Sequence, residues 1–166
     1  MQSLAILTIE SAQRLLKALE EYLDHSEASY SLIIDRGGAV LSQLGEIPPS
    51  VDPTTLSALA AGGFAATREL ALRVGEHEFS ALHQQGKQSQ ILICSIQEEA
   101  MLLTVFGPKT TLGLVRFYSA RAVKQIATIL DHARSESRIP IDLGHEINSG
   151  IRDVFHEPPT RHASTE

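Results

Sequence analysis

Between residues 76 and 106 three short apolar runs are joined by links long enough for a hairpin and for nothing else. The runs are Glu76 to Gln84, Gln90 to Ser95 and Met101 to Phe106, and the links are Gln85-Gly86-Lys87 and Gln97-Glu98-Glu99. A parallel neighbour requires a crossover of about a dozen residues or more, so these strands must run antiparallel. A second such unit lies upstream, where Tyr30 to Asp35 and Ala39 to Leu44 flank Arg36-Gly37-Gly38, residues that tolerate a tight turn. Five strands in two hairpin-linked groups predict one antiparallel sheet.

Three helices are predicted around that sheet. Thr8 can cap a first helix in which Ala12, Leu15, Leu16, Leu19, Tyr22 and Leu23 recur at helical spacing, with Arg14, Lys17, Glu20, Glu21 and Asp24 on the other face. Asp52-Pro53 starts a second, running to about Arg73, because aspartate caps free amides and proline at the first helical position loses no hydrogen bond. A third begins near Thr111, with Leu112, Val115, Tyr118, Ala122, Ile126, Ile129, Leu130 and Ala133 in phase up to about Arg134. The element order helix, two strands, helix, three strands, helix predicts an α/β fold of three layers, α/β/α, around a five-stranded antiparallel sheet.

The second helix is unusual. Its middle, Ala58-Leu59-Ala60-Ala61-Gly62-Gly63-Phe64-Ala65-Ala66, is almost wholly small. Each glycine costs a helix interior about 1 kcal/mol relative to alanine. Close approach of another backbone is the compensation expected.

Charge and composition exclude several roles. The net charge is −6 and the 14 lysines and arginines are scattered, whereas a nucleic-acid surface needs a concentrated basic stripe. An anionic membrane surface is disfavoured on the same ground. No stretch is apolar for the length of a spanning helix, and Leu4 to Ile9 is too short and lacks the basic leader of a signal peptide, so the cytoplasm is the expected location. The single cysteine, Cys94, sits in the run Ile91-Leu92-Ile93-Cys94 and reads as a small core residue.

No catalytic or metal constellation emerges. Gly107-Pro108-Lys109-Thr110 stands where a phosphate-binding loop would end, but that signature needs glycines where this chain has Leu103 and Pro108. His77 and His83, six apart on one strand, would lie about 20 Å from each other, too far for a shared ion. His145-Glu146 lacks the second histidine of a zinc-binding helix. No cofactor is expected.

The stretch Ser31-Leu32-Ile33-Ile34-Asp35-Arg36-Gly37-Gly38-Ala39-Val40-Leu41, the small-residue helix and Thr111-Leu112-Gly113-Leu114-Val115-Arg116, in that order and spacing, resemble the Roadblock family of dynein light chain relatives. That family includes the MglB-like bacterial regulators of Ras-like GTPases. The likeness spans roughly residues 8 to 135. It implies a profilin-like sandwich, a homodimer formed through the second helix and third strand, and a non-catalytic protein that binds a small Ras-like GTPase and modulates its nucleotide cycle in the manner of a GTPase-activating protein. A structural adaptor or scaffold subunit of a larger motor or signalling complex is the alternative, and a small-ligand sensor is a third.

On this reading the dimer interface comprises Ala58, Leu59, Ala61, Gly62, Phe64 and Ala65 on the helix with Phe79, Ala81 and Leu82 on the strand. Outward positions Thr54, Ser57, Arg68 and Glu69 are assigned to the GTPase. Arg36, Arg68 and Arg73 are the arginines that could reach into a nucleotide pocket, although each reads first as a surface residue. Beyond the domain, Leu143, Ile147, Ile151, Val154 and Phe155 place an amphipathic segment over residues 139 to 156, and Pro158-Pro159 opens a tail, residues 157 to 166, expected to be flexible.

Overall fold

The computed structural model describes residues 7–137, so the expected amphipathic segment and tail lie outside the described residues. The element order is α1 (Ile9–Ser26), β1 (Tyr30–Asp35), β2 (Val40–Gly45), α2 (Pro53–Arg73), β3 (Ala81–Gln85), β4 (Gln90–Ile96), β5 (Ala100–Phe106) and α3 (Leu112–Ser137). All strand pairs are antiparallel and the sheet order is β2-β1-β5-β4-β3. This is the predicted α/β/α sandwich.

Local chemistry sets the boundaries. Thr8 accepts a hydrogen bond from the Ser11 amide at 3.1 Å, and α1 ends on Glu27 in the left-handed conformation. Asp52 accepts from the Thr55 amide at 3.0 Å, with Pro53 beginning α2 as expected. Those bonds favour the charged form of Asp52 and hold its carboxyl below the usual range. Thr111 Oγ1 accepts from the Leu114 amide at the start of α3.

Strand alternation divides the apolar side chains between two cores. On one face α1 and α3 cover Ile33, Leu92, Ile96, Leu102 and Phe106 with Leu15, Leu19, Val115 and Ile126. Tyr22 reaches into this layer and donates to Thr104 Oγ1 at 3.0 Å, and burial pushes its phenol above the ordinary range. On the other face Leu32, Ile34, Ile93, Met101, Leu103 and Val105 meet Ala60, Ala61 and Phe64 of α2. Ser11, not Ala12, is the buried first-turn residue of α1, because the Thr8 cap draws its side chain inward, Thr8 Oγ1 donating to Ser11 Oγ at 3.1 Å.

The third strand is shorter than predicted. Residues 76 to 79 form a loop off the end of α2 instead, where the Glu76 amide donates to the Ala71 carbonyl, and within the loop the Glu78 amide donates to Glu76 Oε1. Phe79 therefore turns inward, its ring 5.0 Å from that of Phe64.

Candidate functional site

The small-residue helix serves two neighbours rather than one. Ser57, Ala60, Ala61 and Phe64 form a narrow buried stripe at i, i+3, i+4 and i+7. Their small size lets α2 settle on the first hairpin: a side chain at Gly38, whose φ is +88°, would meet Ala58 Cα at 2.8 Å. Ser57 Oγ donates to the Gly38 carbonyl at 2.6 Å. Ser57, expected on the outward surface, is thus fully buried, 0% exposed, and unavailable to a partner. Ala61 and Phe64 likewise belong to the protomer's own core, not to an outward interface.

The opposite side of α2 is bare. Ala58, Leu59, Gly62, Ala65 and Ala66 are exposed, Leu59 by 70%, and Leu70 one stripe further on by 64%. Nothing lies within 4 Å of a side chain built at Gly62 or Gly63. Two glycines that weaken the helix thus serve no close approach inside the protomer. Thr54 and Glu69 are exposed on the flank of this stripe, as expected.

β3 is one of the two edge strands of the sheet. The Ser95 amide donates to the Ser80 carbonyl at 2.8 Å, and with Ala81 opposite Cys94 the antiparallel pattern makes Leu82 and Gln84 the residues bonded to β4. Ala81 and His83 therefore aim their amides outward. Ala81 is exposed at that edge, whereas Leu82 is half-buried against the α2 core and Phe79 lies on the preceding loop rather than on the strand.

The three arginines are all engaged. Arg73 pairs with Glu69 one turn earlier at 2.9 Å. Arg36, from the β1–β2 turn, and Arg68, from α2, both reach Glu98 Oε2 in the β4–β5 turn, at 3.2 and 3.3 Å. Glu98 read in sequence as a solvated turn residue, and separations of 62 and 30 positions leave no local pattern that would reveal the cluster. The neighbouring Glu99 goes instead to Arg134 of α3.

Among the described residues no group of histidine, cysteine, aspartate and glutamate could hold a metal ion, and no helix is long and apolar enough to cross a membrane. His77 lies outside β3, and His83 is held by Gln90 at 2.8 Å. Cys94 is largely buried beside Ser119, and desolvation raises its thiol above the ordinary value.

The Roadblock/LC7 domain model matches residues 15–106, more than half of the chain. The chain belongs to the Roadblock/LC7 family. Among solved structures, this Roadblock domain is similar to the gliding protein MglB from Thermus thermophilus, with 32% identity, a TM-score of 0.73, and coverage of 80% of this chain and 99% of that one. An MglB described as having a tetrameric arrangement matches at 32% identity and TM-score 0.75 over the same shares. Myxococcus xanthus MglB matches at 24% identity, TM-score 0.71, over 77% of this chain and 96% of its own. Acanthamoeba castellanii profilin IB, 12% identical with a TM-score of 0.52 over 69% of this chain and 97% of its own, shares the fold and establishes the profilin-like architecture. No curated protein sequence matches the chain.

Proposed function

We propose that this Roadblock domain is a homodimeric, non-catalytic cytoplasmic regulator that binds a small Ras-like GTPase and modulates its nucleotide cycle. The observation that carries the reading is the outward face of α2, with its two unsupported glycines and exposed Leu59 and Leu70, in a protomer that also has an unpaired strand edge at β3. Pairing two such faces about a two-fold axis hides both liabilities at once, because the edge amides of Ala81 and His83 gain partners and the sheet continues into the second protomer. The similarity to MglB over four-fifths of the chain supports the regulatory class.

In the dimer, Ala58, Leu59, Gly62, Ala65 and Ala81 meet their symmetry mates. The polar flank with Thr54, Arg68 and Glu69 is left for the GTPase, which lies across both copies. Arg36 and Arg68 converge on Glu98 in the protomer, and Arg73 pairs with Glu69, so each reads first as a surface residue.

Capture from native lysate on the immobilised full chain, with and without a non-hydrolysable GTP analogue, tests the reading. Nucleotide-dependent retention of one small GTPase is expected. Retention of large assemblies regardless of nucleotide would replace it with a scaffold role.

A further inference from the structure

Under the C-terminal half of α2 lies a groove of about 230 Å³ bounded by Arg36, Arg68, Phe64, Ala65, Leu72 and Met101. Its charge is unbalanced. Two guanidiniums share a single carboxylate oxygen, and the carboxylate is the outermost member: the Glu98 side chain is 77% exposed, against 37% for Arg36 and 34% for Arg68. Each guanidinium has five N–H donors, of which Glu98 engages one apiece. Of the neighbouring carboxylates, Glu69 borders the groove but is paired with Arg73, and Glu99 is paired with Arg134. Next to the two cations the wall is apolar, with Phe64 and Met101 buried at its base and Leu72 exposed at its lip.

The geometry points to a recognition socket for an acidic side chain of a partner protein, flanked by an aliphatic residue that enters the apolar part of the groove. This deepens the GTPase reading and rests on it for the identity of the partner. Glu98 acts as a resident stand-in: it draws the two guanidiniums to one carboxylate oxygen, and swings aside when a partner carboxylate takes its place, a short path for so exposed a residue. Planar guanidiniums on either side suit a carboxylate, which each can grip through two N–H groups. The stand-in also sets specificity, because a neutral partner has no means of displacing it.

The probe is the blocked peptide acetyl-Ala-Leu-Glu-Leu-Ala-amide, titrated at low salt into isotopically labelled full-length protein while the arginine Nε–H resonances are followed. Saturable shifts at Arg36 and Arg68 are expected with this peptide and not with its glutamine counterpart. E98Q should tighten binding about two- to thirtyfold, the range that removal of two competing exposed ion pairs allows, while R36Q and R68Q should each abolish the shifts in a protein whose circular dichroism is unchanged. Equal responses to the two peptides, or weaker binding by E98Q, would overturn the socket. Peptide binding at this place in a protein that captures no GTPase would support the socket and refute the partner. Undiminished GTPase capture by a folded R36Q/R68Q double variant would do the reverse.

Discussion

Gly62 offers a perturbation whose effects on the protomer and on the dimer have opposite signs. Replacing it by leucine adds a side chain where nothing in the protomer lies within 4 Å, so the isolated fold has no clash to accommodate. The helix itself gains roughly 0.7–1 kcal/mol, since leucine is close to alanine in propensity and glycine is about 1 kcal/mol worse. At the proposed two-fold contact the same side chain overpacks an interface twice, at about 1–3 kcal/mol per copy. The dimer should therefore weaken by about 2–6 kcal/mol, a factor of 30 or more in its dissociation constant. The attraction it opposes comes mainly from Leu59 and Leu70, 70% and 64% exposed in the protomer; burying most of each contributes about 1–2 kcal/mol per side chain. Sedimentation equilibrium of native, Gly62→Ala and Gly62→Leu proteins, with urea unfolding of each, reads both effects. A Gly62→Leu protein that stays as tightly dimeric as the native one would refute the placement of this face, whatever its stability.

Three further outcomes follow from the geometry. Ala81→Pro removes an amide that points away from β4, so the protomer should keep its urea midpoint while the dimer weakens at least tenfold by sedimentation; Leu82→Pro, which breaks a bond to β4, should unfold it instead. Ser57→Ala should cost about 1–2 kcal/mol of stability in urea titration through the buried bond to Gly38, and Ser57→Asp should prevent folding rather than selectively block a partner. Burial raises the phenols of Tyr22 and Tyr30, so the folded state keeps their protons to higher pH than the unfolded state does. The stability this confers is present below about pH 10 and is lost as pH rises above it, at up to about 1.4 kcal/mol per unit for each group. Urea titrations across that range should show a shallower decline in Tyr22→Phe than in the native protein.

The fold was legible wherever the determinant was local. Link lengths dictated the antiparallel pairing, Thr8 and Asp52 marked the helix starts, and apolar spacing separated the faces of α1 and α3. The site was legible only in part. Small residues in α2 predicted close approach of another backbone; Ser57 and Ala58 meet the first hairpin at Gly38 and Ala61 and Phe64 meet the sheet, whereas Gly62 and Gly63, on which the expectation rested, have nothing within 4 Å in the protomer. A uniformly small and apolar helix carries little amphipathic contrast, so its rotation about its axis cannot be read from spacing. Residues 76 to 80 read in sequence as part of the third strand although only Phe79 among them is apolar, and the Glu76 bond to the Ala71 carbonyl that starts the chain off in a loop is a contact with the end of α2. The Arg36, Arg68 and Glu98 cluster gathers three turns and helices remote in sequence, beyond the reach of any local pattern.

The strand order also dictates when the sheet can be completed. Among the described residues β5 is the last strand in sequence and the middle one in the sheet, buried along its whole length. Its pairing with β4 closes across the short link between Ile96 and Ala100, a microsecond event for a hairpin, but its pairing with β1 sets Tyr30 against Val105 with α2 and three strands in between. During synthesis the first hairpin therefore emerges with one backbone edge of β1, from Tyr30 to Asp35, unpaired until the ribosome has released residue 106. That edge is the point at which a nascent chain is open to wrong partners, and closing it is the expected slow step of folding, because the long loop must be ordered before the contact rewards it. Substitutions at the β1–β5 seam should accordingly change how much protein a cell recovers more than they change the stability of what is recovered.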